Sequence, residues 1–263
     1  MVWDYEFFTQ KIYELTSIDL TSYKERQMKR RINSLIARND FNGYEDYYNQ
    51  LLLDNELLEE FVRYITINVS EFFRNPKQWV VLEENIMPML FQKHERLKIW
   101  SAACSTGEEP YSLAMMLDKI RALDRVEIIA TDIDRHVLNK AKSGVYNEKN
   151  LEGLSDTSIR RYFSNVEDNK RYKIADRLKK CIKFRQHDLL KDPYPSDCHL
   201  IICRNVMIYF TEEAKAKLYK KFYESLHDDG IFFVGSTEQI ILPNRYGFEP
   251  VETFFYKKKE NAI

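Results

Sequence analysis

Glu108, Glu109 and Asp132 are the residues whose types and spacing point to a chemistry. The two glutamates follow the one glycine of Ser101-Ala102-Ala103-Cys104-Ser105-Thr106-Gly107-Glu108-Glu109-Pro110, and the aspartate closes the apolar run Val126-Glu127-Ile128-Ile129-Ala130-Thr131-Asp132. A pyrophosphate-binding turn uses several glycines so that the backbone can approach the phosphates at a helix N-terminus. Here Gly107 stands alone, and two carboxylates occupy the place where phosphate would sit, a repulsive arrangement in a cleft of low dielectric. Anionic dinucleotides are therefore disfavoured and a nucleoside carrying positive charge is favoured. S-adenosylmethionine, with its sulfonium and α-ammonium groups, is the common ligand of that kind. The same glutamates also suit the positive end of the helix they begin, and spacing alone leaves both readings open.

Asp132 has a sharper role. A carboxylate at the tip of a second strand, roughly 20 residues beyond the glycine turn, is placed to hydrogen-bond both ribose hydroxyls of a nucleoside. Asp134 already fills the helix-cap position, so the ribose reading leads. Asp188-Leu189 closes the alternating run from Ile182 and pairs a polar with an apolar group, as an adenine requires. Asn68, Ser70 and Arg74 lie in a polar, aromatic junction ending in Asn75-Pro76; they either reach a ligand or cap helices. Arg204 to Phe210 form an aromatic and polar lip after His199-Leu200-Ile201-Ile202-Cys203.

Lys24, Arg31 and Arg38 recur every seven residues, with Arg30 beside them, next to an apolar stripe of Met28, Ile32, Leu35 and Ile36. Such a stripe is either a solvated face or a dock for an acidic partner. The five histidines lack HExxH-like spacing, so neither a metal site nor a histidine-based catalytic set is expected. Asp192-Pro193-Tyr194-Pro195 resembles the tetrapeptide of DNA amino-methyltransferases but precedes its apolar strand, and it reads as a loop.

These residues must be carried by a strand, turn and helix unit repeated along the chain. Strands alternate with helices from residue 97 to 256, which predicts an α/β domain with a mostly parallel, doubly wound sheet. Residues 144–181 break the alternation with charged, short β-like pieces and predict an insertion containing a small hairpin. Residues 1–67 read as an all-α domain, 68–76 as a junction contributing to the cofactor site, and 77–263 as the catalytic part, with the insertion at about 145–181. The 263 residues carry a net charge of -1, which excludes a global basic field for nucleic acid or anionic lipid. Four cysteines without metal-ligand or CxxC spacing read as reduced core thiols. With neither a leader at Met1-Val2-Trp3-Asp4 nor a run near the ~18 apolar residues of a membrane span, a cytoplasmic protein without membrane insertion is expected.

Asn68-Val69-Ser70-Glu71-Phe72-Phe73-Arg74, the Ser101–Ser112 stretch, Thr131-Asp132-Ile133-Asp134 and Cys203-Arg204-Asn205-Val206-Met207-Ile208-Tyr209-Phe210 together closely resemble the CheR family of chemotaxis receptor methyltransferases. The resemblance covers nearly the whole chain and implies a Rossmann-like S-adenosylmethionine-dependent domain with an inserted β-subdomain, behind a helical receptor-recognition domain. It implies transfer of the cofactor's methyl group to glutamate side chains of bacterial chemoreceptors, leaving S-adenosylhomocysteine. By motif matching the cofactor contacts would be Asn68, Ser70, Arg74, Glu109, Asp132, Asp188, Leu189, Arg204 and Asn205. Ser70 and Asp188 stand where some relatives carry threonine and asparagine. A glutamate carboxylate is a nucleophile at pH 7 without a general base, so catalysis is positioning and desolvation. Arg74, holding the substrate carboxylate, and Tyr209, shaping the mouth and donating a hydrogen bond, are the catalytic candidates. Lys24, Arg30, Arg31 and Arg38 would dock the acidic cytoplasmic methylation helices of membrane chemoreceptors. A monomer without nucleic-acid partners is expected. Two other readings stay open: a methyltransferase acting on nucleic acid or a small molecule, and a non-catalytic module that docks on receptors and senses the cofactor.

Overall fold

A computed structural model describes residues 3–166 and 170–259. Met1 and Val2, part of the stretch read for a leader, and Glu167–Asn169 within the expected insertion lie outside the described residues. The chain divides into two compact units.

The helical unit comprises Met1–Asn68 with Ile208–Lys217. Its helices are α1 (Tyr5–Thr16), α2 (Glu25–Arg38), α3 (Tyr44–Leu53) and α4 (Asn55–Thr66). Asp4 and Asp54 cap α1 and α4 by accepting from the backbone N–H groups of Phe7, and of Glu56 and Leu57. The predicted stripe of α2 is the buried one, with Met28, Ile32, Leu35 and Ile36 all inside. Phe8, Tyr47 and Phe61, each fully buried, form the aromatic centre between α1, α3 and α4. Ile208–Lys217 belongs here for a backbone reason: Lys24 N–H donates to the Tyr209 carbonyl at 2.8 Å and Thr211 N–H to that of Ser22 at 2.9 Å. The sequence-based bounds left this segment in the catalytic part.

The second unit comprises Val69–Met207 and Leu218–Ile263. It begins with α5 (Pro76–Val81), a π turn (Leu82–Ile86) and α6 (Met87–Lys93), where the sequence reads as one helix. Pro88, without an N–H to donate, accounts for the interruption. There follow β1 (Leu97–Ala102), α7 (Glu108–Lys119), β2 (Val126–Asp132) and α8 (Arg135–Ser143). Next come β3 (Val145–Asn147), α9 (Glu148–Leu151), α10 (Asp156–Tyr162), β4 (Phe163–Val166), β5 (Arg171–Ile174) and α11 (Asp176–Lys180). The chain continues through β6 (Ile182–Gln186), β7 (Cys198–Cys203), α12 (Glu212–Ser225), β8 (Leu226–Val234), β9 (Phe248–Glu252) and β10 (Phe255–Lys258).

The main sheet has seven strands in the order β6-β2-β1-β7-β8-β10-β9. Strands β6, β2, β1, β7 and β8 run parallel, and β10 is antiparallel to both of its neighbours, β8 and β9. The order reverses direction at β1, between β2 and β7, so the ligand crevice of this architecture lies beyond the carboxyl ends of these strands. β1 and β7 are buried almost throughout, as expected of central parallel strands covered on both faces. β3, β5 and β4 form a separate three-stranded antiparallel sheet, so the expected hairpin is present with one strand more. Asp118 of α7 ties this insertion down, accepting from Arg161 at 2.7 Å, Arg177 at 2.5 Å and the Tyr162 hydroxyl at 3.0 Å. β6 stops at Gln186 rather than running to Leu189. Among the described residues no helix is long and apolar enough to cross a membrane.

Candidate cofactor site

The turn after β1 is backbone of a rare kind. Ala103 and Ser105 adopt left-handed conformations (φ 67° and 49°), and Gly107 follows at φ 95°. A Cβ on Gly107 would stand 2.9 Å from that of Ala141 and 3.1 Å from the Tyr146 hydroxyl, so only glycine fits between α7 and α8. The turn folds onto β2 through Cys104 N–H to the Thr131 carbonyl and Ser105 N–H to Asp132 Oδ2, both at 2.8 Å.

Asp132 is 7 % exposed, and its Oδ1 accepts from Asp134 N–H at 3.0 Å. The carboxylate thus keeps acceptor capacity for a ligand beside its backbone donors. Burial pushes its pKa up to about 6, against the lowering effect of backbone hydrogen bonds from Asp134, Ser105 and Ile133. Asp134 caps α8, as its position predicts.

The two glutamates separate in role. Glu108 is buried and accepts from the Thr106 hydroxyl at 2.6 Å, within the turn. Glu109 reaches toward the tips of β1 and β7: Oε1 accepts from Ser101 Oγ at 2.8 Å, and Oε2 lies 3.5 Å from Arg204 Nη1. Burial raises its pKa, with Arg204 and Ser101 opposing. Burial, and then the charges of Asp132 and Glu109, push up the pKa of the buried Cys104 thiol.

Arg204, just past β7, has a side chain only 2 % exposed. Its Nη2 donates to the Arg74 carbonyl at 2.7 Å, Asn75 Oδ1 at 3.0 Å and Gln78 Oε1 at 2.8 Å, and the guanidinium sits 4.9 Å from the Phe233 ring centre. It thus pins the junction and α5 to the end of β7. Arg74 itself is half-buried, with Nη1 3.3 Å from the Val69 carbonyl, and Ser70 is likewise partly exposed. Phe73 N–H donates to Ser112 Oγ of α7 at 2.8 Å, a second tie on the junction.

Asn205 is left-handed (φ 61°), and its N–H donates to Glu238 Oε2 at 2.5 Å. Beyond β6, Asp188 Oδ1 accepts from Leu190 N–H at 2.8 Å. Leu189 is buried, and its carbonyl accepts from the Tyr194 hydroxyl and from Lys221 Nζ, both at 2.9 Å. Glu109, Asp132, Arg204 and Asn205 thus gather at the carboxyl ends of neighbouring strands, with Asp188 and Leu189 at the end of β6 and Arg74 tied in through Arg204. Gln78 and Glu238 are buried polar residues bonded to Arg204 and Asn205 that sequence reasoning missed. The signal for Glu238 was a glutamate directly after the small residues Gly235-Ser236-Thr237 at a strand end.

The remaining candidates fall in the helical unit. Asn68 Nδ2 donates to Thr66 Oγ1 at 2.9 Å. Tyr209, Lys24, Arg30 and Arg31 line a groove of about 230 Å³ together with Gln27 and Met28. Arg31 hydrogen-bonds the Tyr64 carbonyl and stacks 4.5 Å from its ring centre, yet its Nε is buried without a partner. Arg38 stacks on the same ring at 5.2 Å and pairs with Glu60, while Arg30 is exposed.

Three of the five histidines, His94, His199 and His227, do meet, with candidate ligand atoms all within 4.8 Å. His199 Nδ1 accepts from Lys98 N–H at 3.1 Å and His227 Nδ1 from Asp229 N–H at 3.2 Å, which leaves the proton of each neutral ring on Nε2. A metal-bound histidine instead donates from its second nitrogen. The His199 and His227 rings also stack nearly parallel, at 13°. Burial, then His94 and His227, push the His199 pKa down to about 4.

Two buried carboxylates at the switch point of an open parallel sheet suit a cationic nucleoside, and Ser105 Oγ is a buried polar atom of the turn that awaits a partner. The fold is that of an S-adenosylmethionine-dependent methyltransferase. Residues 68–255 match the family described as CheR methyltransferase, SAM binding domain, and residues 3–66 match the CheR methyltransferase, all-alpha domain. The chain belongs to the CheR methyltransferase family. It is 44 % identical over 256 residues to a chemotaxis protein methyltransferase of Listeria monocytogenes, covering 97 % of each chain. A chemotaxis protein methyltransferase of Borreliella burgdorferi is 35 % identical over 242 residues, covering 87 % of this chain and 85 % of that one. Among solved structures, a TehB-like SAM-dependent methyltransferase from Corynebacterium glutamicum overlays with a TM-score of 0.40 and 15 % identity, covering 71 % of this chain and 97 % of that one.

Proposed function

We propose that this chain methylates glutamate side chains of bacterial chemoreceptors, forming glutamate methyl esters with S-adenosylmethionine as donor. The observation that carries the proposal is the buried pair Glu109 and Asp132 at the switch point of a chain that matches both CheR family descriptions. When bound, the cofactor supplies an electrophilic methyl group on a cationic sulfur. Asp132 would hold the ribose hydroxyls, Asp188 and Leu189 the adenine, and Glu109 adds the negative charge that the sulfonium and ammonium groups require. Asn68, Ser70, Arg74, Arg204 and Asn205 complete the contact set.

The acceptor carboxylate is ionised at pH 7, so the protein need only orient it and exclude water. Arg74 would hold this carboxylate, and Tyr209 would shape the mouth and donate a hydrogen bond. His187 directs Nε2 to the Pro193 carbonyl at 3.2 Å, and no histidine is called on as a base because the acceptor carboxylate is already ionised. The partners are the acidic cytoplasmic methylation helices of membrane chemoreceptors, met by Lys24, Arg30, Arg31 and Arg38. The buried, unpartnered Nε of Arg31 supports this reading, because a carboxylate entering the groove would satisfy it. The enzyme acts in the cytoplasm as a monomer. Peptide mass spectrometry of receptor-containing membranes after incubation with enzyme and cofactor tests the proposal: the methyl increment should sit on glutamate and on no amine-bearing residue.

A further inference from the structure

Each residue of Asp192-Pro193-Tyr194-Pro195, a stretch that reads from sequence only as a loop, holds another part of this unit. Asp192 Oδ2 accepts from Asp188 N–H at 2.8 Å, and the Pro193 carbonyl accepts from His187 Nε2 at 3.2 Å. The Tyr194 hydroxyl donates to the Leu189 carbonyl at 2.9 Å, and the Pro195 carbonyl accepts from Ser225 Oγ. Asp188 in turn accepts from Leu190 N–H at Oδ1, and at its carbonyl from Lys191 and Asp192 N–H, which closes residues 188–192 into a turn. His187 N–H donates to the Asp132 carbonyl at 2.9 Å, tying the start of that turn to the end of β2.

Lys221 of α12 has no part in the mechanism above. Its Nζ donates to the Leu189 carbonyl at 2.9 Å and to the Asp192 carbonyl at 3.0 Å, and it lies 4.2 Å from the centre of the Tyr194 ring. That ring packs against Trp100 of β1 at 4.8 Å and Phe222 of α12 at 5.0 Å between centres, so the ammonium rests on an aromatic platform fixed to a central strand. Asp188 and Asp192 are the carboxylates whose charge sustains its protonated form against burial. An ammonium that binds two carbonyls of one turn fixes how the peptide groups of that turn face, because the carbonyl and the N–H of a trans peptide point in opposite directions. With the two carbonyls held, Leu189 N–H and Asp188 Oδ2 have no partner among the described residues and stay available to a ligand.

We infer that Lys221 is a positioning residue for the base of the cofactor: by binding the Leu189 and Asp192 carbonyls, with Tyr194 as its platform, it sets the Asp188–Leu189 edge that distinguishes adenine from other purines. The inference rests on the reading of Asp188 and Leu189 as the adenine contacts. Titration calorimetry with S-adenosylhomocysteine, and with its counterpart in which hydrogen replaces the adenine amine, tests it on wild type, Lys221→Met and Tyr194→Phe. Thermal melting establishes which variants are folded. Wild type should prefer the amine-bearing ligand. In Lys221→Met the affinity for S-adenosylhomocysteine should fall about tenfold and that for the counterpart less than about threefold, so the preference shrinks. Tyr194→Phe removes one donor from the Leu189 carbonyl and should shrink the preference about threefold, which carries the test even where Lys221→Met does not fold. Equal losses of both ligands in Lys221→Met, or none, would overturn the inference by reducing Lys221 to general support of the fold, as would an unchanged preference in Tyr194→Phe. A wild type without preference would instead overturn the adenine assignment of Asp188 and Leu189, and a wild type that binds neither ligand the cofactor site itself.

Discussion

The Ser105 backbone N–H and the Asp132 carboxylate meet at 2.8 Å, so the residue that ends β2 also closes the turn that follows β1. The carboxylate most suited to a ribose is therefore also a building element of the turn beside it, and its second oxygen holds Asp134 N–H. Substitution should disturb ligand and turn together.

Asp132→Ala is expected to weaken S-adenosylmethionine binding by about 1 to 3 kcal/mol, through lost charge-assisted hydrogen bonds. Titration calorimetry on the folded variant measures it. Because burial raises the Asp132 pKa to about 6, protons compete with the cofactor from that pH downward. Affinity should fall below pH 6 in wild type, approaching tenfold per unit, and this dependence should vanish in Asp132→Asn. Stability moves the other way. The raised pKa makes the folding contribution of this carboxyl full below its ordinary value of 3.8 and progressively lost as pH rises through about 6.

Arg204→Met should cost about 3 to 5 kcal/mol in chemical denaturation, because it strands the Glu109 carboxylate and frees three acceptors of the junction and α5 at once. Arg204→Lys cannot reproduce the planar fork and should recover only part of this. A loss below 1 kcal/mol in Arg204→Met would show that the guanidinium is no cross-link.

Arg30 is the cleanest probe of the basic stripe because it is exposed, whereas Arg31 and Arg38 also stack on Tyr64. Arg30→Glu should raise the KM for receptor roughly threefold or more and flatten its salt dependence, with cofactor affinity and melting temperature unchanged. Arg31→Glu should add a loss of stability, which the paired melting curves would reveal. Unchanged receptor kinetics in Arg30→Glu would return this residue to the status of solvated surface.

The parts legible in the sequence are the local ones. The turn around Gly107 could be read because strand, small residues and helix are contiguous, and Asp132 because an apolar run announces its strand end. What was not legible depends on long-range pairing. Arg204 reads as a lip residue until its acceptors are found 126 to 130 positions earlier, and Glu238 matters only because Asn205 lies 33 positions away. The return of Ile208–Lys217 to the helical unit rests on backbone bonds to Ser22 and Lys24, which no periodicity reveals. The histidines likewise meet only through the parallel register of β7 and β8 and the end of α6.

The most direct test uses the lability of the product. Wild-type protein incubated with methyl-labelled S-adenosylmethionine and receptor-containing membranes, then treated with mild base, should release the receptor-bound label as volatile methanol, because glutamate methyl esters hydrolyse where methylated amines and bases do not. Label that stays on the receptor through base, or fails to reach the receptor at all, would contradict the assignment of this chain as a glutamate methyltransferase.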